Sequence, residues 1–402
     1  MTNKNLRLMI IGASWEQVPL IKLAKKMGYY VLATSPNIDA EGFNYSDEKA
    51  IVDPRDLRRV VSIAEDFNPI GISADECDYS HYAAVYSSIK LGLCNDGFAG
   101  AQYTSNKLWM REQCHKSHIL QPRFVACRTF LDADKASGLI GWPVIVKPVD
   151  NRGAFGINIA NTIDELEYAY FDALMNSHSR EVIVEAYIEG THITVDGCVD
   201  QGGVHHNLAI ASKAVTPGDK PIIIQVDYPA SISQESCDYI LATNSQVINA
   251  LEIKAGLTHS EYILDNRGRC FLVETANRGG GVLTSAYIVP EMSGVDTNKL
   301  LIKNSVGERF SFKVKPFKGS VILKFFVFET GLVKHIHGLE EAKTIQGVKH
   351  IKLFFNSGDR LTQPQSGAER HGFMILKADS GNKINKLFSK TINAIRIVYD
   401  KD

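Results

Sequence analysis

The chain has 402 residues, with 44 Lys+Arg against 45 Asp+Glu and a formal net charge of −1. Near-neutrality excludes a nucleic-acid binder or a polybasic membrane-surface protein working through bulk charge, and 45% hydrophobic with 22% charged residues excludes a disordered chain or a coiled coil. The seven cysteines are odd in number and contain no C-x-x-C spacing, which disfavours a zinc site or a disulfide framework and fits reduced thiols in the cytoplasm.

The length predicts between two and three domains at roughly 150 residues each. Residues 6–11 read as a short buried strand, too short for the apolar core of an export signal. No apolar run reaches the ~18 residues of a membrane helix. Residues 18–27 place Leu20, Leu23, Ala24 and Met27 on one face and predict a helix, which Gly28 ends. A strand over 30–33, a short strand over 50–52, a helix over 55–66, a strand over 70–73 and a helix over 82–91 complete a βαβα pattern, hence a parallel sheet with helices on both faces. Gly12 has no partner glycines, so the dinucleotide fingerprint is missing and a structural or substrate-facing turn is the better reading. Residues 97–100 read as a linker. Beyond them the pattern changes to longer helices and antiparallel hairpins. Past Gly307 the chain is strand-rich, over 319–328, 348–355 and 371–377, and closes with a helix over 384–398.

The strongest local feature is a hairpin. Two β-type runs, 261–264 and 270–274, flank turn residues 265–269. With the turn centred between Arg267 and Gly268, Glu261 and Glu274 lie directly opposite, ~5 Å apart at Cβ, where like charges destabilise. Something positive must offset them, and Mg²⁺, a hard cation that takes carboxylate and phosphate oxygens, fits. The alternative is two exposed strand-end glutamates, one of them paired with Arg278. Residues 276–278 then run into three glycines at 279–281, whose backbone can approach a ligand closely and point N–H groups at an anion. Arg278 can grip a phosphate or carboxylate with two parallel hydrogen bonds. A flexible loop with a surface arginine is the bland alternative. The strand over 143–148 carries Lys147 near its end and feeds a loop bearing Gly153 and Gly156, which offers polyphosphate a point charge and backbone donors. It is no P-loop, because G-K-[ST] is missing, and alone a strand-end lysine is more often solvated. Residues 182–190 are a buried strand ending in Glu185, in isolation an ordinary strand end.

Together, the order and spacing of these segments resemble the ATP-grasp superfamily of carboxylate–amine ligases over nearly the whole chain. The resemblance implies a multidomain α/β and α+β fold. A Rossmann-like pre-ATP-grasp domain would occupy 1–100, an ATP-grasp fold 101–310 with its lid roughly at 115–188, and a β-rich C-terminal domain 311–402, like those of bacterial L-amino-acid ligases. It implies Lys107 and Lys147 as the two ATP lysines, and residues 151–156, with Arg152, Gly153 and Gly156, as the loop over the phosphates. Glu185, Tyr187 and Ile188 match the hinge that reads adenine, Glu185 through its carboxylate. Glu261 and Glu274 match the Mg²⁺ ligands, with Asn277 as a third, and Arg278 matches the arginine that steadies the tetrahedral intermediate, with Lys147 beside it in the catalytic set. There are departures. His192 stands where relatives place a ribose-binding acid, although a histidine can still hydrogen-bond a ribose hydroxyl. Ala276 stands where an asparagine often follows the second metal glutamate, which leaves Asn277 one place late. The segment 225–227 differs from that of amino-acid ligases, and 274–281 is closer to carbamoyl-phosphate-synthase-like relatives.

The activity expected from the resemblance is an ADP-forming ligase that uses ATP and Mg²⁺, or Mn²⁺ in its place, to join a carboxylate to an amine through an acyl phosphate. Amino acids are the first-choice substrates. Small-molecule acid and amine partners, a homodimer, a cytoplasmic location and no nucleic acid or membrane partner complete the expectation. The alternatives are a non-catalytic ATP-binding regulator and a bicarbonate-activating carboxylase or carbamoyl-phosphate-type enzyme.

Overall fold

The computed structural model describes residues 6–151, 153, 155–216, 222–364 and 366–400. The chain opens with β1 (Arg7–Ile11), α1 (Val18–Lys26), β2 (Tyr30–Ser35), β3 (Glu48–Ile51), α2 (Leu57–Phe67), β4 (Gly71–Ser73) and α3 (Asp78–Lys90). The strands are parallel, in the order β3-β2-β1-β4. Successive side chains of β1 point to opposite faces. Leu8 and Ile10 pack with Leu20, Ile21 and Ala24 of α1, whereas Met9 and Ile11 pack with Val60 and Ala64 of α2 and Ala83 and Ala84 of α3. The uninterrupted apolar run of β1 is the signature of a strand covered on both sides. Helix α3 begins at Asp78, four residues before its apolar pattern suggests, and so carries Asp78 in its first turn.

Residues 97–100 are a helix start and not the expected linker. Gly97, at φ +97°, precedes α4 (Phe98–Ser105), and Gly100 is packed so that a Cβ would come 3.0 Å from Ile253. The glycines serve close packing here. Helix α5 (Lys107–Lys116) follows, capped by the Asn106 side chain, which accepts from Leu108 and Trp109 N–H.

The next unit comprises β5 (Phe124–Cys127), α6 (Phe130–Ile140), β6 (Val144–Pro148), β7 (Asn158–Ala160), α7 (Ile163–Met175) and β8 (Val182–Ala186), with an antiparallel sheet in the order β5-β8-β6-β7. Val144, Val146, Val182 and Val184 pack under both helices. The period of two therefore turns Lys147 and Glu185 to the other face.

The rest of the chain supplies β9 (Thr191–Val199), β10 (His205–Val215), β11 (Ile223–Tyr228), α8 (Gln234–Ala250), β12 (Gly256–Leu264), β13 (Cys270–Ala276), α9 (Val289–Ser293), α10 (Thr297–Ser305), β14 (Ser320–Phe326), β15 (Gly331–His337), α11 (Leu339–Thr344), β16 (Val348–Leu353), β17 (Arg360–Leu361), β18 (Gly372–Ala378), α12 (Gly381–Ala394) and β19 (Arg396–Tyr399). Eight of these strands form one antiparallel sheet, β13-β12-β9-β10-β11-β14-β18-β16. Strands from before and after residue 310 share this sheet, since β11 pairs directly with β14, Tyr228 opposite Val321. The helix expected over 384–398 stops at Ala394, and β19 pairs with β15 instead. The β-branched and aromatic run Ile395, Ile397, Val398 and Tyr399 explains the switch. Among the described residues no helix is long and apolar enough to cross a membrane, and all seven cysteines are unpaired.

Candidate active site

The β12–β13 hairpin places Glu261 directly opposite Glu274, as the sequence predicts, by a route it does not predict. Next to the turn the pairs are Leu264 with Cys270 and Tyr262 with Leu272, one residue out of the expected register. A bulge at Val273 restores it. The Asp265 carboxylate holds the turn by accepting from Arg267 and Arg269 N–H. Each glutamate has its own cation. Lys213 Nζ on β10 lies 2.5 Å from Glu261 Oε1, and Lys107 Nζ lies 3.5 Å from Glu274 Oε2. Burial alone would raise the Glu261 carboxyl, but Lys213 and His259 hold it well below its ordinary value. Two facing carboxylates in a cleft fit a hard divalent cation that completes its shell with phosphate oxygens and water. Among the described residues no cluster of three candidate ligands forms an all-protein cage.

Lys107 also donates to Asn151 O at 2.7 Å, and so reaches the loop after β6. Gly153 and Gly156 in that loop sit at φ +68° and +70°, in the left-handed region. A Cβ on Gly156 would lie 2.7 Å from that of Asn176. Arg152 lies outside the described residues. A cavity of about 60 Å³ is lined by Lys107, Asn151, Gly153, His259, Glu274 and Arg278, among others. Asn277 does not line it. Its amide is 1% exposed and donates to Ala255 O and Leu257 O, both at 3.0 Å. The expected metal ligand is thus a brace for the start of β12, since strand alternation carries it away from Glu274.

Glu185 also departs from expectation. It is fully buried, and its carboxylate accepts from Arg111 Nε at 2.7 Å and Nη2 at 3.3 Å and from Lys147 Nζ at 2.7 Å. Both carboxylate oxygens are thus engaged by buried cations of the protein. Burial opposes its charge, yet Arg111 and Lys147 overcome that and hold it at about 2. Arg111 Nη2 also donates to Val273 O, the carbonyl at the bulge, and so ties the β5-β8-β6-β7 sheet to the strand that presents Glu274. The hinge residues Tyr187 and Ile188 continue half-buried from β8, with Tyr187 N–H donating to Pro143 O at 3.2 Å. His192 on β9 is half-buried opposite Lys213. Burial and then Lys213 lower its proton affinity, against a smaller pull from Glu261.

Arg278 lines the cavity, but its main counter-ion is Asp78 of α3 and not Glu274. Nε and Nη2 bind the two Asp78 oxygens at 3.0 and 3.1 Å, and Nη1 donates to Gly279 O. This loop does point N–H groups at anions, one from the glycines and two from the residues after them, and the anions they meet are carboxylates of the protein. Gly279 N–H donates to Asp75, Val282 N–H to Glu16 and Leu283 N–H to Glu76. Nor is the loop slack, because a Cβ on Gly279 would fall 2.2 Å from Ser285 Cβ and one on Gly280 2.8 Å from His259 Nδ1. Val282 and Leu283 are both left-handed, at φ +57° and +60°. Such residues cost ~1–3 kcal/mol each unless their surroundings hold them.

Sequence reasoning missed His259, which donates from Nδ1 to Asp196 Oδ1 at 2.7 Å and sets Nε2 3.5 Å from Glu261. Tyr228 O–H donates to the other Asp196 oxygen at 2.9 Å. The signal was available, since residues two apart on a strand share a face and His259 is two before Glu261. Asp75, Glu76, Asp78 and Arg111 left no local signal, because each acts across the fold on distant segments.

Residues 140–286 match the ATP-grasp domain, and residues 324–400 match L-amino acid ligase C-terminal domain 2. The L-arginine-specific L-amino acid ligase of Bacillus subtilis is 24% identical over 305 residues, 74% of this chain and 73% of that one. The crystal structure of an L-amino acid ligase from Bacillus licheniformis superposes with a TM-score of 0.85 at 22% identity and covers 100% of both chains. Phosphoribosylglycinamide synthetase from Anaerococcus prevotii gives 0.77 at 20% identity, covering 98% of this chain and 100% of that one. The chain carries an ATP-grasp domain, followed by the C-terminal domain 2 of the L-amino acid ligases.

Proposed function

We propose that this ligase activates the carboxylate of an amino acid with ATP and joins it to the amine of a second. The observation that carries the reading is the opposed pair Glu261–Glu274, set beside a cavity that also holds Lys107 and Arg278. Glu261 and Glu274 are the residues that would hold Mg²⁺, and a bound divalent ion draws charge from phosphate oxygens. Lys107 and Lys147 supply further positive charge to the transferring phosphoryl group. The substrate carboxylate oxygen attacks the γ-phosphorus, the bond to the β-phosphate oxygen breaks, and ADP leaves. The amine then attacks the acyl carbon, phosphate departs, and the amide forms. Arg278, with its fork fixed by Asp78, can donate to the oxyanion that develops in this second step, where a preorganised donor acts most strongly. His192 and the hinge at 187–188 are the proposed nucleotide contacts.

The relatives' amino-acid chemistry and the shared C-terminal module support the substrate class. The unpaired cysteines fit a reducing cytoplasm. An ADP-release screen over acid and amine pairs, with hydroxylamine added to trap acyl phosphate as hydroxamate, tests the reading. Release that requires an amino acid, with hydroxamate formed, is the expected result. Release with bicarbonate alone would replace it with a carboxylase reading, and ATP binding without release under any pair would replace it with a regulator.

A further inference from the structure

The loop behind Arg278 is held by an arrangement in which the donors do not suffice. Ser285 Oγ lies 2.6 Å from Asp75 Oδ2 and 3.0 Å from Glu76 Oε1. A serine hydroxyl has a single hydrogen, so it can donate to just one of them. The remaining oxygens take backbone donors, Asp75 Oδ1 from Gly279 N–H at 2.8 Å and Glu76 Oε2 from Leu283 N–H at 3.1 Å. The shorter contact matches a hydroxyl donating to an ionised carboxylate. The longer one then needs its hydrogen from Glu76. We propose that Glu76 is a protonated positioning residue, whose Oε1–H donates to Ser285 Oγ while Oε2 holds Leu283 N–H and so fixes the left-handed turn at 282–283 behind Arg278. The positioning half rests on the ligase reading, and the protonation half does not.

The surroundings agree. Asp75 and Glu76 are 3% and 6% exposed. The charged groups that face Glu76 are Glu16, from the turn after β1, and its neighbour Asp75, with Arg278 beyond Asp75 and already bound by Asp78. Burial first, then repulsion from Glu16 and Asp75, push the Glu76 carboxyl well above its ordinary range. Valine rarely adopts a left-handed backbone, so the turn needs the two bonds that Glu16 and Glu76 give it.

A raised carboxyl contributes stability that is complete below its unfolded value and is lost as pH rises through its folded value. Glu76→Gln keeps both hydrogen bonds, with its amide N–H toward Ser285 and its carbonyl toward Leu283, and cannot ionise. Thermal unfolding of the parent, E76Q and E76A from about pH 5 to about pH 9 reads this directly. E76Q should match the parent at the acid end and become the more stable as pH rises, with E76A below both. The infrared spectrum of the parent at neutral pH should show a carboxylic-acid stretch that E76Q lacks. With ATP, a mixture of proteinogenic amino acids and hydroxylamine, E76A should lower kcat by ~10-fold or more while the KM for ATP stays put, as for a group that orients a catalytic neighbour. Melting curves of the parent and E76Q that run parallel with pH, with no infrared band, overturn the protonation. The band together with parent-like turnover in E76A overturns the positioning. A parent that traps no hydroxamate counts against the ligase reading itself, on which the melting and infrared results do not depend.

Discussion

Glu185 is a buried carboxylate clamped between two buried cations. Its carboxylate is needed where it is, because Lys147 and Arg111 are almost as deeply buried and each would otherwise be an uncompensated charge. A carboxyl held at about 2 against an ordinary 4.5 contributes stability above 4.5 and loses it as pH falls toward 2. The size of that contribution is on the order of 3 kcal/mol. Glu185→Gln should therefore lose about 3–5 kcal/mol at neutral pH, the usual effect of breaking a buried pair from one side. Its denaturant midpoint should also be less sensitive to acid than the parent's between pH 4.5 and 2. A midpoint unchanged at neutral pH would show that the cluster stabilises nothing. Arg278 is the opposite kind of residue, partly exposed to the cavity and fixed by Asp78 from behind. Lysine cannot copy its fork. Arg278→Lys should lower kcat by ~10²–10³ with little change in the KM for ATP. Turnover that survives at saturating ATP and Mg²⁺, with a lowered melting temperature, would make Arg278 a structural counter-ion of Asp78.

At the scale of elements, what could be read from the sequence was whatever repeats locally. The apolar run of β1, the helical stripe of α1 and the alternating arms of β12 and β13 carry their own period, and the hairpin arms with a polar turn fix which glutamates meet. The bulge at Val273 does not show, because its stabilising partner is Arg111, 162 residues earlier. The same distance hides the Asp78 grip on Arg278 and the use of the glycine-loop N–H groups. Helix α4 was masked by glycines that serve packing, and β19 by a helical pattern that runs on from α12. The hairpin makes a prediction that separates metal binding from folding. Glu274 is half-exposed and its lysine partner is 3.5 Å away, so the fold gains little from the pair. Glu274→Gln should melt within a degree or so of the parent, since exposed pairs contribute ~1 kcal/mol or less. Its affinity for Mn²⁺ in the presence of a non-hydrolysable ATP analogue, followed by electron paramagnetic resonance, should fall by at least ~10-fold. Unchanged Mn²⁺ affinity would remove Glu274 from the metal site.

For the whole molecule, the site is assembled from charges that no single unit supplies. The opening α/β unit contributes Asp75, Glu76 and Asp78, α5 contributes Lys107 and Arg111, the β5-β8-β6-β7 sheet Lys147 and Glu185, and the eight-stranded sheet Lys213 and both facing glutamates. Lys107 and Lys213 stand against Glu274 and Glu261, so each metal-site glutamate is paired with a lysine. Mg²⁺ arriving alone must compete with two lysines. ATP arriving alone brings further negative charge toward two glutamates. Together, the cation can take the glutamates while the lysines turn to phosphate, so each ligand removes the obstacle to the other, which is positive coupling between them. The melting temperature should accordingly rise with ATP and Mg²⁺ together and hardly move with either alone. At 100-fold excess over Kd a ligand adds ~2.7 kcal/mol. For a chain of this size that is a shift of several degrees, readily seen by differential scanning calorimetry, at roughly 2–4 °C per kcal/mol or somewhat less. Should Mg²⁺ alone produce the full shift, the lysines do not guard the glutamates, and no such coupling exists.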